Sequence, residues 1–187
     1  LLQDAYVVRR LKDDVHIAMV ADGAGSAKYG RYGAWLACRR ILNKSKVALY
    51  DTNSLPSLDD FKYWIDEIRD EIRLHAKVRD CTPREFATTI SGVLFNNETL
   101  CSFSVGDSAV VGRRNNDWEV LCWPENGEYA STTYFLTDDP EPRLKFEQKE
   151  NLFDGFSVFT DGIGEIAISF NDGCAHKPFF DAMFRGV

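Results

Sequence analysis

Three short segments repeat one pattern, an apolar run followed by Asp beside Gly. They are Met19-Val20-Ala21-Asp22-Gly23, Phe103-Ser104-Val105-Gly106-Asp107-Ser108 and Val158-Phe159-Thr160-Asp161-Gly162. A fourth aspartate, Asp4, immediately precedes an apolar run. Asp-Gly is also ordinary turn chemistry, because Asp tolerates the left-handed region and Gly supplies positive φ. Taken together, the segments say more. A carboxylate at the end of a strand inside a sheet is costly to desolvate unless a counter-charge sits beside it. A hard divalent cation supplies that charge, and Mg²⁺ or Mn²⁺ prefers carboxylate, carbonyl and water oxygens. Gly beside Asp also lets a backbone carbonyl approach closely enough to act as a ligand. Two such ions about 4 Å apart activate a bridging water and clamp a phosphoryl group. Four carboxylates without a His or Cys ligand pattern fit this chemistry better than zinc.

The composition is that of an ordinary folded chain with an acidic balance. The 187 residues are 44% hydrophobic and 27% charged, ordinary globular values that exclude a disordered or fibrous chain. Lys plus Arg is 22 and Asp plus Glu is 29, a net charge of −7, which argues against non-specific binding of nucleic acid. No apolar run reaches the roughly 18 residues of a membrane span and no signal peptide is visible, so a cytoplasmic location is expected. The five cysteines are widely spaced without a CxxC, which reads as reduced core thiols. His16, His75 and His176 have no ligand spacing, and Trp35, Trp64, Trp118 and Trp123 read as core. Arg31, just after the first glycines, is within reach of a phosphate but reads first as surface. The chain begins at Leu1 rather than Met, and residues upstream are expected.

The elements that must position the aspartates follow from periodicity. Residues 5–11 and 15–21 form a hairpin around Lys12-Asp13-Asp14. A glycine-rich turn leads into a long helix with Trp35, Cys38, Leu42 and Leu49 at helical spacing. A second helix carries Leu58, Phe61, Ile65, Ile68 and Ile72 in one stripe with Trp64 beside it, Ser57 as N-cap and Asp59 and Asp60 in its first turn. Thr82-Pro83-Arg84-Glu85 has capping-box spacing. Strands at 88–95 and 100–105, and at 109–113 and 118–123, make two further hairpins. Residues 124–151 read as loop with an embedded strand at 133–137; 156–160 reads as a last buried strand and 179–184 as the start of a helix. Strands, two helices and then a run of antiparallel strands make an α+β fold.

Val20-Ala21-Asp22-Gly23-Ala24-Gly25, Thr88-Thr89, Val105-Gly106-Asp107-Ser108 and Phe159-Thr160-Asp161-Gly162 resemble, in order and rough spacing, the motifs of the PP2C-type (PPM) metal-dependent protein serine/threonine phosphatases. Gln3-Asp4-Ala5 looks like the acidic motif before the family's first strand. Gly127-Glu128-Tyr129 followed by Thr133-Tyr134-Phe135 looks like a compact bacterial branch. The resemblance implies one PP2C-like domain over residues 1–187, a sandwich of two antiparallel β-sheets flanked by helix pairs. It implies Asp22 bridging two Mn²⁺ or Mg²⁺ ions, the Gly23 carbonyl on one of them and Asp161 as a further ligand. Asp4 would bind directly or through a water, and Asp107 would share a third, weaker ion with Asp161. Asp22 and Asp161 are then the catalytic pair, and a metal-bound hydroxide would attack a phosphoserine or phosphothreonine in line, without a phosphoenzyme. A phosphorylated protein substrate and a cognate kinase follow as partners. The chain departs from the pattern at Ala24, where many members carry His. The family's phosphate-binding Arg would precede Leu1, and no match to its C-terminal metal-ligand motif occurs before Val187. A catalytically silent regulatory or binding domain of the same fold is the alternative.

Overall fold

The computed structural model describes residues 2–125 and 133–185. Strand β1 (Ala5–Arg10) turns through a short 3-10 segment at Lys12–Asp14 into β2 (His16–Ala21), with Arg10 opposite His16 and Ala5 opposite Ala21. In β2 Ile17, Met19 and Ala21 are buried while His16, Ala18 and Val20 are half-buried, the two-residue alternation of a sheet with unlike faces. Helices α1 (Gly30–Thr52) and α2 (Leu58–Val78) follow. The α2 stripe follows its spacing from Phe61 on: Phe61, Ile65, Ile68 and Ile72 are buried, while Leu58, expected to begin it, is exposed in the first turn. Ser57 caps it through a full capping box with Asp60.

Strands β3 (Ile90–Phe95), β4 (Thr99–Val105), β5 (Ala109–Arg114) and β6 (Asp117–Cys122) continue the chain. After them come β7 (Lys145–Glu150) and β8 (Gly155–Phe159). The last elements are short: α3 (Gly164–Ala167), β9 (Ile168–Ser169), β10 (Cys174–Ala175) and α4 (Lys177–Phe184). All strand pairs are antiparallel, in a five-stranded sheet β1-β2-β3-β4-β7, a three-stranded sheet β6-β5-β8 and the ribbon β10-β9.

One face of the large sheet, with Ile17, Met19, Leu94 and Phe103, packs against α1 and α2. Its other face sends Val93 and Leu100 against Val110 and Cys122 of the small sheet. The outer face of the small sheet, with Val111, Trp118 and Phe159, is covered by Ala167, Ile168 and Phe180 from the last elements. The layers are those of an α+β sandwich with helices outside both sheets.

Several expectations need correction. Residues 133–137 are not a strand; Thr133 makes only an isolated bridge, and the chain there is held by side-chain bonds instead. The strand in this stretch is β7, Lys-Phe-Glu-Gln-Lys-Glu, which lies at a sheet edge and buries little besides part of Phe146, so its pattern carries no apolar alternation. Strand β8 is half-buried rather than buried, because it is also an edge. Trp35 is 44% exposed with the Arg39 guanidinium 5.0 Å from its ring centre; Leu36 and Ala37 take the core positions. Thr82 makes no side-chain cap, and Pro83–Phe86 is a single 3-10 turn. Gly127-Glu128-Tyr129 lies outside the described residues.

Candidate active site

Asp22 leaves β2, an interior strand of the large sheet, and its backbone is held on three sides. Its N–H donates to Thr89 Oγ1 at 3.1 Å, and its carbonyl accepts from Thr88 Oγ1 at 2.9 Å and from the Thr89 N–H at 2.8 Å. The Gly23 N–H donates to the Gln3 carbonyl at 3.3 Å, which draws the segment containing Asp4 alongside. Gly23 also faces the first turn of α1. A Cβ on it would stand 2.3 Å from the Gly30 carbonyl carbon and 2.8 Å from the Arg31 nitrogen, so only glycine fits. Among the described residues no hydrogen-bond donor reaches the Gly23 carbonyl. Arg31 is exposed.

Asp107 follows β4 through Gly106, whose φ of +106° and 2.6 Å clearance between a built Cβ and the Thr89 side chain exclude other residues. Asp107 Oδ2 accepts from Thr133 Oγ1 at 2.6 Å, while Oδ1 is buried with no hydrogen-bond partner among the described residues. Asp161 follows β8 and opens a 3-10 turn; it is exposed, as is Asp4. Asp161 therefore comes from an edge strand of the small sheet, although the apolar run before it reads as a buried strand. Buried Thr88, Thr89, Ser91, Ser104 and Ser108 form a polar seam between the Asp22 and Asp107 turns, with the Ser91 and Ser104 hydroxyls 2.6 Å apart.

The electrostatics show that the four aspartates share one neighbourhood. Burial pushes the Asp22 carboxyl up to about 7, assisted by a hydrogen bond with Asp4 and by the charges of Asp4, Asp161 and Asp107. Burial also raises Asp107, with the Asp161 charge adding to it and the Thr133 hydroxyl opposing. Among the described residues no three acidic, His or Cys side chains already stand at metal-holding separation. Like charges without a counter-ion repel, so a preassembled cage is not the expected state of a metal-free centre. The donor set nevertheless fits a hard cation: a carboxylate oxygen on Asp107 without a partner among the described residues, and an Asp22 carboxyl surrounded by three other carboxylates.

Two contributors were given no role at the site by the sequence. Thr133 orients Asp107 from 26 residues away. Arg69, only 5% exposed, donates through Nη2 to the Asp138 carbonyl at 2.8 Å, the Asp139 carboxylate at 2.8 Å and the Pro140 carbonyl at 3.1 Å. It ties the segment carrying Thr133 to α2, and the Leu136 N–H adds a 2.9 Å bond to the Thr88 carbonyl. An Arg four residues after Ile65 and three before Ile72, on the apolar face of a helix, is the one hint the sequence offers. The histidines stay apart: His75 meets the Tyr32 hydroxyl at 3.0 Å, His16 lies against Phe95, and His176 Nδ1 is 3.1 Å from the Ile166 carbonyl. Burial pushes the Cys38 and Cys101 thiols up to about 12, which makes them inert core groups.

The family model described as protein phosphatase 2C matches residues 1–187. Serine/threonine-protein phosphatase 3 of Escherichia coli (strain K12) is 30% identical over 173 residues, covering 90% of this chain and 67% of that protein. The crystal structure of serine/threonine phosphatase Stp1 from Staphylococcus aureus matches with a TM-score of 0.67 at 15% identity, over 92% of this chain and 74% of that one. The catalytic domain of the serine/threonine protein phosphatase PstP, in complex with 2 manganese ions, matches with a TM-score of 0.63 at 15% identity, over 92% and 76%. These two structures share the fold described above.

Proposed function

The chain belongs to the protein phosphatase 2C family of serine/threonine phosphatases, and on that premise we propose that it hydrolyses phosphoserine and phosphothreonine in proteins with Mn²⁺ or Mg²⁺. The observation that carries this reading is the Asp22 carboxyl, which feels Asp4, Asp161 and Asp107 at once. Asp22, the Gly23 carbonyl, Asp4 and Asp161 would hold two ions, and Asp107 with Asp161 a third, weaker one. When bound, the ions supply Lewis-acid charge and a water activated for attack at neutral pH. Water adds to phosphorus in line, the bond to the Ser or Thr oxygen breaks, and inorganic phosphate leaves without a covalent phosphoenzyme. Thr88 and Thr89 fix the backbone of Asp22, and Thr133 fixes one oxygen of Asp107, so both carboxylates are aimed before substrate arrives. Ala24 offers no proton, so the leaving oxygen takes its proton from water.

Among the described residues no helix is long and apolar enough to cross a membrane. A cytoplasmic phosphoprotein substrate and a cognate kinase complete the proposal. The test is Mn²⁺-dependent release of phosphate from a phosphothreonine peptide by the wild type, Asp22→Asn and Asp161→Asn. Loss of about 100-fold or more in both variants is expected; wild-type rates in both would overturn the metal assignment. The alternative, a silent regulatory domain, draws on Ala24. It predicts no Mn²⁺ binding at millimolar ion by calorimetry.

A further inference from the structure

Cations and aromatic rings form a ladder along α1 and the end of α2. Lys28 Nζ stands 5.3 Å from the Tyr29 ring centre, and the Arg79 guanidinium 5.5 Å from Tyr29 and 5.6 Å from Tyr32. The Tyr32 and Trp35 ring centres are 5.5 Å apart, and Arg39 lies 5.0 Å from that of Trp35. Tyr32, Trp35 and Arg39 share one face of α1 by their spacing, and Arg79, at the C-cap of α2, reaches the first two rings. Lys28, Trp35, Arg39 and Arg79 are exposed and the two tyrosines half-buried. Among the described residues none of the three cations has an ion-pair partner, whereas Arg40 and Lys44 on the same helix are paired with Glu71 and Glu67. Two acids are close by in the chain. Glu85 accepts the Lys28 N–H through Oε2 at 2.9 Å, and Asp80 is exposed after Arg79.

A guanidinium held by its face on a ring keeps the N–H donors of its edge for another partner, and a carboxylate takes that fork bidentately. Arg79 uses Nη1 on the His75 carbonyl at 3.3 Å, and among the described residues Arg39 has no hydrogen-bond acceptor. In a chain of net charge −7, such a strip is where an anionic segment can land. The rings carry cations, so the strip offers charge rather than an open platform for stacking bases. It also begins beside the aspartates: the Tyr29 N–H donates to the Glu85 carbonyl at 2.7 Å, the Ala24 N–H to the Ala87 carbonyl at 2.9 Å, and Gly30 packs against Gly23. From Tyr29 to Arg39 the helix rises about 15 Å, the reach of about five residues of extended chain. Building on the phosphatase reading, we propose that the Lys28–Arg79–Arg39 ladder docks an acidic stretch of the phosphoprotein substrate, outside the hydrolytic centre. Substrates with a run of Asp or Glu near the phosphorylated residue are then the preferred class.

The experiment uses the Mn²⁺-loaded protein with phosphothreonine peptides carrying about five Glu before the phosphothreonine, after it, or replaced by Gln. p-Nitrophenyl phosphate is the substrate without flanking residues, and fluorescence anisotropy follows binding of the unphosphorylated peptides. A Glu peptide is expected to exceed the Gln peptide about 10-fold in kcat/KM, through KM rather than kcat, with the advantage shrinking as salt is added. Arg39→Glu should bring the ratio to within about twofold of unity, and Arg79→Gln should narrow it. Arg114→Glu, the same charge change at an exposed position on the small sheet, should leave it intact. Turnover of p-nitrophenyl phosphate should stay within about twofold in all three variants. If p-nitrophenyl phosphate is turned over but no Glu preference exists, or Arg39→Glu leaves that preference intact, the docking site is overturned. An oligothymidylate that binds more tightly than the Glu peptide, and through Arg39, would overturn it in favour of nucleic acid. If nothing is turned over but the unphosphorylated Glu peptide binds through Arg39, the docking surface stands and the hydrolytic reading falls. If neither turnover nor binding is seen, both fall.

Discussion

At the scale of single residues, Asp22 is where several forces act in one direction. Burial, the Asp4 hydrogen bond and three neighbouring charges all favour its protonated form, raising it from 3.8 to about 7. The metal-free fold therefore binds this proton more tightly than the unfolded chain does. The stability it contributes is fully present below the unfolded value and is lost as pH rises through the folded one. Melting temperature in a chelator should accordingly fall between about pH 4 and about pH 7, and Asp22→Asn should flatten that slope. Added Mn²⁺ should raise the wild-type melting temperature most at the alkaline end, where metal and proton no longer compete. A wild-type slope equal to that of Asp22→Asn would contradict this account. The aspartates were legible because Asp beside Gly after an apolar run is a local pattern. The Thr133 bond to Asp107 and the pairing of Thr89 with Asp22 were not, since each joins residues far apart in the chain whose meeting only tertiary structure decides.

Among elements, α2 is both the clearest to read and the one with a hidden task. Its cap and stripe follow from local rules, as do the hairpins, whose turns sit between alternating runs. Strand β7 escaped because a charged edge strand owes its existence to the backbone of β4 rather than to its own side chains. Arg69 is the hidden task, a buried guanidinium spent on the carbonyls of Asp138 and Pro140. Arg69→Leu keeps most of the stem volume and removes the donors, leaving those carbonyls to find water. It should cost about 1–3 kcal/mol in urea denaturation. It should also lower phosphatase activity more than Lys77→Leu, an exposed residue of the same helix. Equal activities would mean that the 133–140 segment holds Thr133 without α2.

For the molecule as a whole, the order of strands and helices announced the fold class, but not which faces meet. That depends on Ile17, Met19 and Phe103 looking toward the helices while Val93 and Leu100 look toward the second sheet, a choice made once β2, β3 and β4 are in register. Phe61 is fully buried where the helical layer meets the large sheet, with ring centres of Phe103 at 4.5 Å and Phe146 at 5.4 Å. Phe61→Ala should cost about 3–5 kcal/mol by calorimetry, with the slope of stability against pH unchanged because the cavity lies away from the carboxylates. The aspartates themselves come from both sheets: Asp22 and Asp107 end strands of the large one, Asp161 a strand of the small one. Neither sheet alone owns a centre, and a half-folded chain has nothing to switch on. During refolding, the first released phosphate would then time-stamp the docking of the two sheets, so the enzyme's own turnover reports when its assembly is complete.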